Sequence, residues 1–283
     1  MATATVRTDD TPGALNRWLV GALTAGAFAL RLVRLGVDSL WYDETVSVYL
    51  AGQRIPELIA HTARDIHPPG YYLLLRGWLA LTGFPTGHAD AAGYRLEFVA
   101  AFLSLLFGVL LVPLTWQLAR RLRLDTRVAG IAALLVAVSP LGVWYSQEVR
   151  MYTLGAALGV VCLLASAPFL FPDRAQRRLG RAAVVYALAA AAGLYTLYYF
   201  AFLLVSINLL VIPLLARRWR TTGKAGRRDL FIWLAAQLGT LLLFAPWLPT
   251  AWRQATDPPV PPWRSAPQLG ASLVESWSAL SLG

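Results

Sequence analysis

The sequence predicts an all-α polytopic membrane protein, a bundle of helices with lipid as its solvent, and three observations carry that prediction. Of the 283 residues, 57% are hydrophobic and only 14% charged, and the mean hydropathy is +0.54. Apolar stretches of about 20 residues recur, the length a helix needs to cross a ~30 Å hydrocarbon layer. Arginines gather in the short segments between them. The positive-inside rule accounts for such clusters, so the net charge of +10 requires no nucleic-acid partner.

Residues 16–35 make the first span. The polar N-terminus before it is short and lacks a small-residue cleavage pattern, so this segment reads as a retained span and not a signal peptide. Arg31 and Arg34 fall in its last turn, where snorkelling to the headgroups or contact with a lipid phosphate explains them. Residues 36–93 are different in kind: charged, proline-bearing and only intermittently apolar. Ile55, Leu58, Ile59 and Thr62 repeat at helical spacing, with Pro56 in the first turn, which predicts a short amphipathic helix on a membrane surface. His67-Pro68-Pro69-Gly70 breaks it. Residues 71–84 are apolar but too short to cross and carry Arg76, so an interfacial, juxtamembrane helix is expected there.

Basic loops at 120–127, 173–181 and 217–228 fix the remaining topology. With all three cytoplasmic, 97–119 runs inward, 128–145 outward, and 146–150 is an external loop. Then 151–170 returns inward, 182–216 is a hairpin turning near 195–200, and 230–249 runs outward. The N-terminus is cytoplasmic, and the long 36–93 loop is external, on the face that also holds 146–150. After Trp247 a proline-rich stretch (Pro258, Pro259, Pro261, Pro262) leads to a weakly amphipathic end. A single transmembrane domain over 1–283 with about seven spans is expected, C-terminally incomplete. Cys162, the only cysteine, lies in an apolar run, which leaves no internal disulfide and no cysteine metal site. There is no internal repeat of the kind that marks many secondary transporters.

Two acidic motifs stand out on the external side. Asp43-Glu44 follows Ser39-Leu40-Trp41-Tyr42 directly after the first span, and Gln147-Glu148 lies in the 146–150 loop. Carboxylates close to a bilayer are costly to bury and are functional candidates by default. Acids also cap helices, here one starting at Thr45, because the macrodipole favours negative charge at an N-terminus.

The motifs together carry a resemblance. Leu40-Trp41-Tyr42-Asp43-Glu44 is followed by His67-Pro68-Pro69 with Tyr71-Tyr72-Leu73-Leu74, then by Tyr94-Arg95-Leu96. Ser139-Pro140 and Tyr145-Ser146-Gln147-Glu148-Val149-Arg150-Met151-Tyr152 complete the series. In order and spacing this resembles the protein mannosyltransferase group, glycosyltransferase family 39 and its bacterial relatives, within the GT-C superfamily. The likeness runs from Arg31 to about Tyr152, under half the chain.

It implies a GT-C-type transmembrane helix bundle in the plasma (inner) membrane. Such a protein moves a sugar from a polyprenyl-phosphate carrier to a glycan, lipid or protein acceptor at the external face, usually with inversion. Inverting transfer needs a carboxylate to take the acceptor hydroxyl's proton and positive charge to stabilise the departing phosphate. By the match Asp43 is the base, and Glu44 orients the acceptor or Asp43 itself. Arg95, at the head of the second span, is the first choice for the donor phosphate and Arg150 the second. His67, Gln147 and Glu148 are expected to contact substrate, while Trp144 and Tyr152 are expected to anchor at the interface.

His61, Asp65 and His67 do not have a metal-ligand spacing, so no metal or other cofactor is expected. Tyr195-Thr196-Leu197-Tyr198-Tyr199-Phe200 resembles an external turn of bacterial relatives, without the histidine that often precedes the tyrosine there. A polyprenyl-lipid transporter or flippase is the alternative from another class. It requires ionisable groups at mid-depth, where Gln237 is the clearest polar residue. A scaffold without chemistry leaves the ordered motifs unexplained.

Overall fold

The computed structural model describes residues 14–84, 96–171, 179–257 and 269–281, and helices alone build them. After α1 (Ala14–Leu32) come three short helices, α2 (Tyr42–Gly52), α3 (Ile55–Thr62) and α4 (Gly70–Leu81). The longer elements follow: α5 (Leu96–Arg121), α6 (Thr126–Val138) with α7 (Pro140–Gln147), α8 (Tyr152–Leu170), α9 (Leu179–Thr196), α10 (Phe200–Thr222) and α11 (Lys224–Phe244). Next come α12 (Leu248–Thr256) and α13 (Leu269–Ser281).

By length and apolarity α5, α8, α9 and α10 can each cross a membrane, and the bent pairs α6–α7 and α11–α12 add two more if each pair is one span. The 19 residues of α1 extend about 28 Å and include Arg17 and Arg31. The outer faces suit lipid: Leu134, Leu135, Leu209, Leu210, Leu238, Leu241 and Leu242 are all exposed. A water-soluble chain does not leave so much apolar surface uncovered. The inner faces use small residues. Ala129, Ala133 and Ala137, one per turn of α6, pack with Ala27, Val112 and Trp116. Gly193 admits the Phe200 ring against α9, where a Cβ would lie 2.3 Å from it. Close backbone approach drives helix association where lipid removes the hydrophobic driving force.

Several expectations hold. The 55–62 helix is present, the 182–216 hairpin turns between α9 and α10, and α4, at 12 residues or about 18 Å, is too short to span.

Others are corrected. The 128–145 segment is not one straight helix but bends by 49° at Ser139. Pro140 has no N–H to offer the Val136 carbonyl, and the Ser139 hydroxyl starts α7 by accepting from the Gly142 N–H. Arg31 sits at this break and not among headgroups. It is fully buried and donates to the carbonyls of Val136 (3.1 Å), Ala137 (2.8 Å) and Ala27 (3.2 Å) and to Ser146 Oγ (3.0 Å). Carbonyls freed inside a membrane must find a protein donor, and Arg31 supplies it.

The basic 217–228 segment is helix and not loop. Its only interruption is Gly223, at φ +60°, and Gly226 lies so close to the Arg218 and Trp219 backbone that a Cβ there would collide. The last expected span, 230–249, ends early: α11 stops at Phe244 and the chain turns 81° into α12. The first span stops at Leu32, followed by a turn with Arg34 at φ +63° and Gly36 at φ +68° against the Phe98 backbone.

The short helices form a cap over one end of the bundle. Leu50, Leu58, Tyr71, Leu75 and Leu79 pack with Leu105 of α5 and with Val149 and Met151 of the α7–α8 link. Arg76 reaches the carbonyls of Ala51 and Gln53 at the end of α2, and the Trp78 indole donates to Val99 at 2.7 Å. This cap is where the two acidic motifs meet.

Candidate active site

The helix carrying the first acidic pair begins at Tyr42, earlier than the expected Thr45, so Asp43 and Glu44 both stand in its first turn. Glu44 completes a capping box: its Oε2 accepts from the Trp41 N–H at 3.1 Å. Its Oε1 accepts from the Val149 N–H at 2.8 Å. The buried carboxylate therefore ties the start of α2 to the α7–α8 link, joining residues that are 105 positions apart.

That tie brings Asp43 beside Arg150. The Asp43 carboxylate, 39% exposed, lies 3.5 Å from Arg150 Nη2, and Arg150 Nη1 donates to the Asp43 carbonyl at 3.4 Å. The Arg150 side chain is only 4% exposed, and its Nε is buried without a hydrogen-bond partner. Its backbone is anchored separately: Ser104 Oγ donates to the Arg150 carbonyl, and the Thr153 hydroxyl to that of Ser104. The Tyr152 ring faces the guanidinium at 5.8 Å from its centroid, with Tyr145 packed on it at 4.6 Å. Tyr152 thus walls the arginine.

The second acidic motif divides its tasks. Gln147 donates to the carbonyls of Arg31 (3.0 Å) and Val33 (2.7 Å), which caps the end of α1. Glu148 Oε1 accepts from the Trp144 indole at 2.7 Å. Burial raises the Glu148 pKa first, and the carboxylates of Glu44 and Asp43 push it further, against the opposing pull of Trp144 and Arg150. Four acidic or basic side chains from α2 and the α7–α8 link are therefore within electrostatic reach of each other.

The turn before α4 holds a further charged pair. His67 Nδ1 lies 3.5 Å from Asp65 Oδ2. Burial works against the Asp65 carboxylate, but His67 and the Ile66 N–H more than offset it and lower its pKa. Burial also raises the pKa of the Tyr72 phenol, and the charges it feels are Arg150, Asp65 and Asp43. Tyr72 is thus within electrostatic reach of both Asp65 and the Asp43–Arg150 pair.

Asp43, Glu44, Arg150, Gln147 and Glu148 are thus brought together where α2 meets the α7–α8 link, His67 is paired with Asp65 in the turn before α4, and Arg95 lies outside the described residues. The sequence did not single out Arg31, Asp65 or Tyr72 as parts of this assembly. Asp65 carried a usable signal, standing two residues before His67. Arg31 carried none, because apart from Ala27 its partners are more than 100 residues away.

No protein-family model and no curated protein matches the sequence. The fold is similar to a chain of the S. cerevisiae protein O-mannosyltransferase Pmt1-Pmt2 complex bound to the sugar donor, with a TM-score of 0.68 and 19% identity. The match covers 88% of this chain and 35% of that one. The likeness establishes the architecture, a membrane helix bundle of the kind found in part of that chain.

Proposed function

We propose that the protein is a membrane glycosyltransferase that moves a sugar from a polyprenyl-phosphate carrier to an acceptor hydroxyl at the external face, with inversion. One observation carries this reading. A half-exposed carboxylate, Asp43, lies next to a buried guanidinium, Arg150, whose Nε has no partner. A base open to solvent beside a cation with unused donor capacity suits a reaction that removes a proton at one point and releases a phosphate at another.

In that reaction Asp43 takes the acceptor hydroxyl's proton as its oxygen bonds to the anomeric carbon. The bond from that carbon to the phosphate oxygen breaks on the opposite side. Its electron pair leaves with the polyprenyl phosphate, whose added charge Arg150 stabilises, together with Arg95. Asp43 fits the base better than its neighbours do. Both Glu44 oxygens are held by backbone amides, and Glu148 is partly engaged by Trp144. Glu44 acts by setting the turn that presents Asp43, Gln147 by fixing the link that carries Arg150, and Glu148 and His67 face the substrates.

The test is a screen of radiolabelled polyprenyl-phosphate sugars in membranes that contain the protein. Transfer of label to a membrane or protein acceptor is expected, with loss of about 10²–10³-fold in Arg150→Ala. If no donor gives transfer, or if Arg150→Ala transfers at the wild-type rate, the reading fails. The polar group expected at mid-depth for a transporter, Gln237, is neutral and belongs to a bonded cluster with Asn208 and Trp233.

A further inference from the structure

No motif drew attention to α12, yet its Gln254 is bonded to the wall of the candidate site. The 81° turn after α11 lays α12 against the cap, and Gln254 is buried there. Its amide nitrogen donates to the carbonyls of Thr62 (2.8 Å), Ala63 (3.4 Å) and Asp65. Its Oε1 accepts from the Tyr198 hydroxyl, which in turn accepts from the Trp247 indole at 2.7 Å. Arg253 adds a bond to the Ala63 carbonyl at 2.6 Å. A helix leaves its last carbonyls unpaired, and α3 ends at Thr62. The N–H groups of Ala63, Arg64 and Asp65 meet the carbonyls of Ile59, His61 and Thr62, and α12 adds side-chain donors at Thr62 and at the Ala63 and Asp65 carbonyls beyond it.

The same turn is gripped a second time. At Gly70, the first residue of α4, a Cβ would lie 2.6 Å from the Tyr195 carbonyl oxygen at the end of α9. Asp65, His67, Pro68 and Pro69 are therefore held between Gln254 on one side and the α9–α10 corner on the other. This gives residues 195–200 a role that the absent histidine left open.

We propose that Gln254 is a positioning residue: by bonding the carbonyls of Thr62, Ala63 and Asp65 it fixes the turn that presents the Asp65–His67 pair to the Asp43–Arg150 centre. The side chain has to be an amide. Its two N–H groups are shared among three carbonyls at one end and its oxygen accepts a hydroxyl at the other, which neither a carboxylate nor an apolar residue can do. The latch itself stands apart from the transferase reading, and only its effect on turnover rests on that reading.

Hydrogen exchange on the whole protein in lipid nanodiscs tests it, comparing wild type with Gln254→Ala and Gln254→Glu. The glutamate variant keeps the side-chain volume and the acceptor for Tyr198 but loses the donor. Amides of residues 63–67 are expected to exchange at least ~10-fold faster in both variants, with α5 and α8 as protected as before. Unchanged exchange in that segment, or an equal rise along the whole chain, overturns the proposal.

In transfer from a polyprenyl-phosphomannose, Gln254→Glu is expected to lower kcat about tenfold and leave the donor KM within about twofold, because Arg150 is anchored by Ser104 and not by α12. Adding His67→Ala should cost little more, since both changes act through one turn. Fully additive losses also overturn the proposal. If the wild type transfers nothing from this donor or any other, the transferase reading fails, and the exchange result still decides the latch.

Discussion

Replacing Glu44 with glutamine separates a residue that builds the site from one that performs chemistry in it. The Glu44 carboxylate accepts two backbone amides, Trp41 at 3.1 Å and Val149 at 2.8 Å. Glutamine keeps one acceptor oxygen and points an NH₂ group at the other N–H. A hydrogen bond to a charged group contributes about 1.5–3 kcal/mol, and a buried amide left unpaired costs about 1–3 kcal/mol. These overlap and do not add, so the expected loss is about 2–3 kcal/mol.

At about 2–4 °C per kcal/mol for a chain of this size, Tm falls by roughly 4–12 °C. Thermal unfolding in nanodiscs, followed by tryptophan fluorescence, measures it, with Asp43→Asn run in parallel. Asp43 is half-exposed and its ion pair is long, but Arg150 is buried, so its variant should melt between the wild type and Glu44→Gln. The reasoning is refuted if Glu44→Gln melts with the wild type while losing as much transfer as Asp43→Asn. Glu44 would then act on substrate and not on Val149.

Other outcomes follow from single contacts. Gly70→Ala, which forces a Cβ onto the Tyr195 carbonyl, should lower Tm and loosen the His67 turn, whereas Gly77→Ala, with open space around it, should be neutral or stabilising in the same assay. Arg31→Met leaves the Val136 and Ala137 carbonyls without donors in a dry interior and should destabilise by about 2–5 kcal/mol, read as a lower melting point and protease nicking near Ser139. The Glu148 carboxyl has a raised pKa in the folded state, so the fold binds its proton more readily than the unfolded chain does. The cost of its charge is present at neutral pH and relieved as pH falls through that raised pKa. Melting the wild type against Glu148→Gln from pH 7 to pH 5 should therefore show the wild type gaining relative to the variant, and a constant difference would contradict this.

The spans and the meeting of the two acidic motifs were legible because they rest on local properties: apolar length and loop charge. Charge alone put 36–93 and 146–150 on one face, and the Glu44–Val149 bond joins them. The arginine at 31 was misread because a cation in the last turn of a span normally snorkels. Only the distant break at Ser139-Pro140 supplies the carbonyls that hold it inside. The α12 fold-back escaped for a similar reason. Gln254 sits in a short polar helix, and its partners, Thr62, Ala63 and Asp65, are backbone groups that no side-chain pattern marks. The basic 217–228 segment reads as loop on composition, although Gly223 and Gly226 are its only strong helix breakers and Gly226 stays helical.

The central claim is that Asp43 works on the reaction and not on the fold or on donor binding. Its most direct test measures donor binding and sugar transfer together in Asp43→Asn, in membranes, using whichever polyprenyl-phosphate sugar the wild type accepts. Binding within about twofold of wild type with transfer reduced by about 10²–10⁴-fold is the predicted result. Transfer at the wild-type rate, or loss of transfer only in proportion to lost binding, would contradict it.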